Sequence, residues 1–176
     1  MGESAAELEQ LQKLLDTSHN RSGPHLQSII VAGSRTPTAR QIVAELTGMK
    51  VLVLTTVSRA GRPRSSAVDG HFLGGRWVFT TSGDAVKARD IRQRPAVSAV
   101  YVDGERFAVF VHGDAEIIDS EHPARAAIEA HLTEHYGVSP STWGPSIVYG
   151  RIVPRFMIAY APEAQSLPDV GSLPAV

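Results

Sequence analysis

The sequence predicts a mainly β fold in which six antiparallel strands form a barrel with flanking helices. Six extended segments rich in β-branched and aromatic residues lie between residues 51 and 160, and short glycine-containing turns separate several of them. Helical spacing of apolar residues is confined to four shorter segments. Because a barrel removes the unpaired strand edges that an open sheet exposes, we expect the sheet to close or nearly close on itself.

Composition limits the class of protein. The 176 residues suffice for one domain with a sizeable core, and 43% hydrophobic and 20% charged residues are typical of a soluble globular domain. A formal net charge of −1 does not predict binding to nucleic acid or to an acidic membrane surface. The absence of cysteine excludes disulfides and thiolate metal sites. Because the sequence contains neither a signal-peptide pattern nor an apolar span of about 20 residues, we expect a cytoplasmic protein.

The N-terminal region is predicted to be helical with a long connection. Leucines at three- and four-residue steps predict an amphipathic helix over residues 4–16, followed by a polar loop to residue 36. Thr36 and Pro37 suit the cap and first turn of a second helix, and Gly48 suits its end. We therefore expect an N-terminal helix and loop extension (1–36), a barrel domain (37–160) and a loosely held tail (161–176).

The six strands follow in order. They are predicted over residues 51–57, 64–72, 77–81, 97–102, 106–119 and 147–160. Turns at residues 60–61 and 74–75 make the first three strands an antiparallel meander. Pro154 cannot donate a ladder hydrogen bond, so the last strand is expected to be an edge strand or to be bulged there.

Two helices interrupt the strands. Asp84 is expected to cap a short helix that ends before Pro95, because proline cannot continue the helical hydrogen bonds. A longer helix is expected from about residue 123 to residue 136. Its inward face is predicted to carry Ala127, Ile128 and Leu132.

The segment from residue 80 to residue 90 combines features that suit an anion. Hydroxyl groups of Thr80, Thr81 and Ser82 end a strand, a glycine turn follows, and Lys87 lies in the first turn of the next helix. A helix N-terminus carries partial positive charge, and its free N–H groups donate to phosphate oxygens. The simpler alternative is ordinary strand-to-turn composition with solvated Lys87 and Arg89. The charge of Asp84 opposes a phosphate unless its side chain is engaged in capping.

Several motifs together are similar to a known superfamily. They are, in chain order, LTT (54–56) with GRP (61–63), WVFTTS (77–82), KARDIRQRPAVS (87–98), VHGDAEI (111–117) and IVPR (152–155). No single motif is specific, but their order and separation resemble those of the pyridoxamine 5'-phosphate oxidase-like, flavin-binding split-barrel superfamily. This resemblance extends over about two thirds of the chain and implies the six-stranded split β-barrel fold.

The resemblance also implies a function. Members hold FMN or the deazaflavin coenzyme F420 in a groove between two subunits of a homodimer and transfer a hydride to a small organic substrate. Carried onto this sequence, the phosphate site falls on Thr80, Thr81, Ser82 and Lys87, with Ala85, Val86 and Arg89 nearby. The strand facing the ring falls on Ser65, Ser66, Ala67 and Val68. The sequence does not decide between the two cofactors and offers no evident acid or base as a catalytic residue.

Two departures from the superfamily pattern weaken the predicted phosphate site. Residues 85 and 86 are alanine and valine where members often carry an arginine, so the site lacks one cation unless Arg64 or Arg89 compensates. Asp90 stands where asparagine is usual.

Two other functions are consistent with parts of the sequence. The same barrel serves equally as a non-catalytic carrier of flavin, F420, or haem or another tetrapyrrole. The HLTEH segment (131–135) matches a zinc-protease pattern with two histidines on one helical face, but no further ligand is evident. His71 and His112 lie in predicted strands, where a hydrogen-bonded structural role is the simpler interpretation.

Overall fold

The computed structural model describes residues 3–171 of the chain. The α-helices are α1 (Ala5–Asn20), α2 (Pro24–Ile29), α3 (Ala39–Glu45), α4 (Val86–Gln93) and α5 (Arg125–Tyr136). The strands are β1 (Lys50–Val57), β2 (Pro63–Leu73), β3 (Arg76–Ser82), β4 (Ala96–Asp103), β5 (Phe107–Ile118) and β6 (Ile147–Tyr160). Within residues 3–171, no helix is long and apolar enough to cross a membrane.

The six strands form one closed antiparallel barrel. Their order is β1–β2–β3–β6–β5–β4, and β4 pairs again with β1. The first three strands form the expected meander, whereas β6 returns to pair with both β3 and β5. The predicted fold class, a six-stranded antiparallel barrel with flanking helices, is therefore confirmed.

Alternate residues of each strand fill the barrel interior, because successive side chains of a strand point to opposite faces. Leu52 and Leu54 on β1 and Trp77 and Phe79 on β3 are at most 1% exposed and belong to one apolar cluster. Burying a side chain of this kind contributes about 1.5–3 kcal/mol each, so the cluster is a main source of stability.

The outside of the barrel is covered unevenly. Helix α5 packs Ile128 and Leu132 onto Val78 and Tyr149, and α1 packs against β6. The outward faces of β1, β4 and β5 remain exposed. Their most exposed large apolar residues are Val51 (58%), Val53 (40%), Val102 (55%) and Phe110 (40%).

The helical boundaries differ from the predicted ones. Helix α1 continues to Asn20, and α2 lies within the predicted loop. Helix α3 begins at Ala39, because the Thr38 hydroxyl accepts the Gln41 N–H and the Gln41 side chain bonds back to Thr38. The sequence-based prediction placed the cap at Thr36 and missed this capping box at Thr38. Ala127 was also predicted wrongly, since it is exposed on α5.

The segment after β6 is better held than the sequence suggests. Ala161 and Ala164 are 1% and 2% exposed, and their N–H groups donate to the carbonyls of Arg35 and Ser34 (3.2 Å each). The expectation of a loosely held tail is therefore wrong for its first residues. Residues 172–176 lie outside the described part of the chain.

A β-bulge lies beside Pro154. Gly113 pairs with Pro154 and His112 pairs with Phe156, which leaves Arg155 without a partner in the register. Because β6 has neighbours on both sides, it is not an edge strand, and the bulge is the correct one of the two predicted alternatives.

Gly113 is expected to be intolerant of a side chain at this bulge. A Cβ there would contact the Val153 carbonyl oxygen and lie 3.0 Å from Pro154 Cα, and backbone atoms cannot rotate away. We expect Gly113→Ala to lower the free energy of unfolding by about 1–3 kcal/mol in urea denaturation. Gly23→Ala, whose methyl group has nothing within 4 Å, is the control and should change stability by less than about 0.5 kcal/mol. Equal stability of the two variants would contradict the described bulge.

Candidate cofactor site at the start of helix α4

A split separates β2 from β3 on one side of the barrel. The two strands pair only between residues 70–73 and 76–79. Beyond this point, residues 63–69 of β2 keep β1 as their partner, whereas residues 80–82 of β3 keep β6. The facing backbone edges are therefore not paired with each other. We call the opening between residues 63–69 and 80–82 the β2–β3 split.

Helix α4 begins directly after this split with an open N-terminus. Its first intrahelical bond runs from the Arg89 N–H to the Ala85 carbonyl (3.1 Å), and no side chain in residues 3–171 caps the preceding N–H groups. The amides of Val86, Lys87 and Ala88 thus point out of the helix start. Such an end attracts anions through its free donors and its partial positive charge.

Asp84 does not cap α4, contrary to the prediction. Ala85 is the N-cap residue, and the Asp84 carboxylate accepts a hydrogen bond from Ser146 Oγ (3.0 Å). The expected carboxylate cap would have occupied the free amides. Its absence leaves them available to a ligand, and Ser146 partly offsets the charge of Asp84.

Ser146, on the connection before β6, fixes the turn between β3 and α4. Its carbonyl accepts the Gly83 N–H (2.6 Å), and its hydroxyl lies 3.2 Å from Ser82 Oγ. Ser82 Oγ in turn accepts the Asp84 N–H (3.2 Å), while Arg92 donates to the Gly83 carbonyl (2.8 Å). A Cβ on Gly83 would lie 3.1 Å from the Ser146 carbonyl, so this approach favours glycine. The turn is therefore held from two directions before any ligand arrives.

Two cations near the helix start have no protein partner within residues 3–171. Lys87 is partly exposed and Arg89 is exposed, and neither forms a hydrogen bond or ion pair with any residue between 3 and 171. Arg92, by contrast, is engaged at Gly83. A lysine beside free helix amides is suited to a phosphate group, because a charge-assisted hydrogen bond is stronger than a neutral one.

Asp90 links α4 to the strands beside the split. It is 6% exposed, and its Oδ2 accepts a hydrogen bond from Thr56 Oγ1 on β1 (3.1 Å). Arg64 on β2 approaches the same oxygen at 3.5 Å. Arg64 therefore offsets the carboxylate that replaces the usual asparagine, but it does not supply the missing cation at the helix start.

The four predicted ring-facing residues on β2 alternate between two sides of the strand. Ser65 and Ala67 are exposed, and Ser65 Oγ lies 2.7 Å from Thr55 Oγ1. Ser66 is partly buried and Val68 is 7% exposed within the core. A planar ligand at this strand could therefore contact only the backbone edge of β2 and the side chains on one of its two sides.

The predicted site residues fall into two groups on either side of the split. Thr80, Thr81, Ser82, Ala85, Val86, Lys87 and Arg89 belong to the end of β3 and the start of α4, and Ser65, Ser66, Ala67 and Val68 belong to the unpaired part of β2. Arg64 and Asp90 join the two sides. Sequence reasoning missed Ser146, because nothing local connects it to a turn more than sixty residues earlier in the chain.

A separate cavity of about 610 Å³ lies away from α4, between α1, residues 30–38 and β6. Several of its polar groups already bond to protein: Gln12 accepts the Ala39 N–H, Gln41 donates to the Ala164 carbonyl, and His19 contacts the Ile30 carbonyl. The free amides at α4 therefore indicate a ligand site more clearly than the size of this cavity does.

The histidines of the zinc-protease pattern do not form a metal centre. Among residues 3–171, no group of three or more His, Asp or Glu side chains is arranged to hold a metal ion. His131 Nε2 instead lies 3.2 Å from His71 Nδ1. His112 Nδ1 lies 2.8 Å from Ser98 Oγ, and its ring stacks on Phe156. Both strand histidines are thus hydrogen-bonded, as the simpler interpretation expects.

Comparisons with solved structures find the same fold in other proteins. An F420 reductase matches with 23% identity and a TM-score of 0.52, covering 64% of this chain and 91% of that one. An FMN-binding, pyridoxamine 5'-phosphate oxidase-related protein from Nostoc punctiforme matches with 20% identity and a TM-score of 0.51, covering 62% and 74%. HutZ, a haem storage protein from Vibrio cholerae, matches with 20% identity and a TM-score of 0.54, covering 63% and 86%.

Sequence comparison identifies the family. A search of curated protein sequences found no significant match. The family profile described as pyridoxamine 5'-phosphate oxidase, however, matches residues 38–158, which include β1 to β5, α4 and β6 except its last two residues. The chain therefore belongs to the pyridoxamine 5'-phosphate oxidase family.

Proposed function

We propose that this chain is a flavin- or deazaflavin-dependent oxidoreductase that transfers a hydride between its ring cofactor and a small organic substrate. The observation that carries the proposal is the uncapped start of α4, with Lys87 unpaired within residues 3–171, at the edge of the β2–β3 split. FMN and F420 both contain a phosphate joined through a flexible chain to a planar ring, so both fit this pair of features.

The helix start provides the anchor for the phosphate. The amides of Val86, Lys87 and Ala88 donate to phosphate oxygens, Lys87 adds a full charge, and the hydroxyls of Thr80 and Thr81 lie on the adjoining strand end. Two carboxylates nearby are already engaged, Asp84 by Ser146 and Asp90 by Thr56 and Arg64. The resulting balance at the helix start is positive although the whole chain carries a net charge of −1.

The unpaired edge of β2 provides the surface for the ring. Residues 63–69 pair with β1 on one side, which leaves the opposite backbone edge free to hydrogen-bond the polar rim of a flavin or deazaflavin. When bound, the ring supplies the hydride chemistry, and the protein orients it and tunes it through these hydrogen bonds. No acid–base pair is required of the protein in this scheme.

A homodimer is part of the proposal. An exposed apolar strip lies on β1, β4 and β5, which are neighbours in the barrel. It consists of Val51, Val53, Val102 and Phe110. An apolar strip of this kind on a barrel wall is suited to burial against a second copy. Two copies joined there would complete a groove of which one chain provides half.

The alternative is a non-catalytic carrier. The absence of an evident acid–base pair at the split supports it, and the haem-binding neighbour shares the fold. His112 favours a tetrapyrrole ligand in this alternative, since its Nδ1 is held by Ser98 while the side chain is exposed on the outer face of β5.

Replacement of Lys87 tests the cofactor site. We expect Lys87→Ala to weaken binding of whichever cofactor the wild type prefers, FMN or F420, by about 10- to 100-fold, because a charge-assisted contact to phosphate is lost. Fluorescence titration measures both dissociation constants. Lys13→Ala, which removes an exposed lysine on α1, should leave them unchanged. Wild-type binding weaker than about 100 micromolar for both cofactors would refute the site.

Turnover separates the enzyme from the carrier. We expect the protein to oxidise its reduced cofactor, under anaerobic conditions, at a rate that depends on an added quinone, enone or biliverdin-like pigment. Stopped-flow absorbance of the cofactor band follows the reaction. Tight cofactor binding without acceleration by any acceptor would favour the carrier, and a haem titration of the same sample would then test the tetrapyrrole alternative.

Substitution in the apolar strip tests the dimer. We expect the wild type to scatter light as a particle of twice the 18.9 kDa chain mass and Val53→Glu to shift it to the monomer, because a charge cannot be buried unpaired in the interface. The matched control is Val138→Glu, a valine that is 45% exposed in the connection after α5. A monomeric wild type that still binds cofactor would contradict the shared groove.

A further inference from the structure

His71, His131 and Tyr136 form a hydrogen-bonded chain between β2 and α5, here called the His–Tyr chain. His71 is 1% exposed. Its Nδ1 lies 3.2 Å from His131 Nε2, and its Nε2 lies 3.0 Å from the Tyr136 hydroxyl. Both ring nitrogens of a buried histidine are therefore engaged by side chains of one helix.

The hydrogen bonds of the His–Tyr chain persist only in some protonation states of its two histidines. Of the two facing nitrogens, only one can carry hydrogen, since the other must accept. If His131 alone is protonated, it donates to His71, which can still donate to Tyr136. When both imidazoles are protonated, two N–H groups face each other and the contact is lost. The His–Tyr chain thus requires at least one neutral imidazole.

Tyr136 connects the His–Tyr chain to the candidate cofactor site. It is the last residue of α5, and its ring lies 4.8 Å from that of Trp143. The connection that carries Trp143 reaches Ser146 three residues later. Ser146 then accepts the Gly83 N–H and holds Ser82 and Asp84 at the start of α4. The side-chain contacts from His71 to Trp143, the short backbone segment from Trp143 to Ser146, and the Ser146 hydrogen bonds therefore link the buried histidine to the turn before α4.

We propose that His71, His131 and Tyr136 are positioning residues that hold Ser146, and through it the turn over residues 82–85, in the geometry that binds the cofactor phosphate. The ligand in this statement rests on the proposed function, whereas the coupling between the His–Tyr chain and the turn does not. Loss of the His–Tyr chain loosens this turn. It does not unfold the barrel, because the apolar cluster of the barrel interior lies on the other face of β2 and β3.

Charged and titratable groups surround the His–Tyr chain from several elements. They are Asp69 on β2, Glu134 and His135 on α5, Arg76 on β3, and Glu3 and Glu7 at the N-terminal end. Burial, followed by the neighbouring His131 and His135, lowers the pKa of His71 from 6.5 to about 4, and burial lowers the pKa of His131. A histidine whose pKa is depressed on folding stabilises the fold above pH 6.5, and this stabilisation is lost as the pH falls towards 4.

Amide exchange at Gly83 tests the coupling directly. We expect Tyr136→Phe, which removes the hydroxyl but keeps the ring on Trp143, to accelerate exchange of the Gly83 N–H by about three- to tenfold in NMR measurements without cofactor. Tyr160→Phe is the matched control, because the Tyr160 hydroxyl makes no hydrogen bond with residues 3–171. Equal Gly83 exchange in the two variants, with equal melting temperatures, would overturn the proposal.

Acidification provides a signature that a merely structural contact would not give. A glutamine amide can donate to or accept from His71, so His131→Gln keeps the contact when His71 is protonated. As the pH falls to about 4, where His71 becomes protonated, we expect Gly83 protection to fall in the wild type and in the exposed-surface control His25→Gln, but to persist in His131→Gln. A parallel fall in all three proteins would contradict the proposal.

Cofactor affinity completes the test. Tyr136→Phe should weaken binding of FMN or F420 by about three- to tenfold, and Tyr160→Phe should not. If the wild type binds neither cofactor, the proposed function fails, yet the Gly83 exchange rates still decide the coupling. If Tyr136→Phe accelerates exchange but leaves the affinity of a binding wild type unchanged, the positioning role is refuted.

Discussion

The constraint on which the proposed site depends is that β2 and β3 separate beyond the Gly70–Phe79 pair, leaving residues 63–69 and 80–82 unpaired with each other. Each strand keeps its other neighbour, β1 or β6, so the barrel remains closed overall while one seam opens over part of its length. The chain must then leave β3 and enter α4 at the end of that seam. Free backbone edge and free helix amides are therefore adjacent for a topological reason, not because of any single side chain.

The charges and free amides at that corner are the basis for proposing an anion site there. In the described part of the chain no carboxylate caps the start of α4, and the two acidic side chains beside it are bound by protein groups. Lys87 and Arg89 remain without protein partners within residues 3–171. Because a ligand phosphate would replace solvent and not an internal ion pair, its binding need not break existing contacts.

The β-rich part of the fold could be predicted from sequence because its signals are local. β-Branched runs, glycine turns and the proline at residue 154 are each set by neighbouring residues. Helix α2 was missed because its six residues bury no side chain and therefore show no apolar periodicity. Asp84 was assigned to the cap of α4 because aspartate commonly caps helices, whereas its actual partner, Ser146, comes from a distant segment.

The candidate site likewise has a part that could be predicted from neighbouring residues and a part that depends on distant ones. Residues 80–89 are contiguous, so their hydroxyls, turn and lysine could be recognised together. Their juxtaposition with β2, the Arg64–Asp90 contact and the role of Ser146 depend on strand register and on a loop far along the chain. The His–Tyr chain is likewise invisible to sequence periodicity, because His71 and Tyr136 meet only when α5 packs on the barrel.

The most direct measurement of the central claim is a map of backbone amide chemical shifts during titration with FMN and F420. We expect the largest changes on the amides of Val86, Lys87 and Ala88 and on the unpaired part of β2, which lie on the two sides of the β2–β3 split. Changes confined to the cavity between α1 and β6, with the α4 amides unmoved at saturation, would contradict the claim.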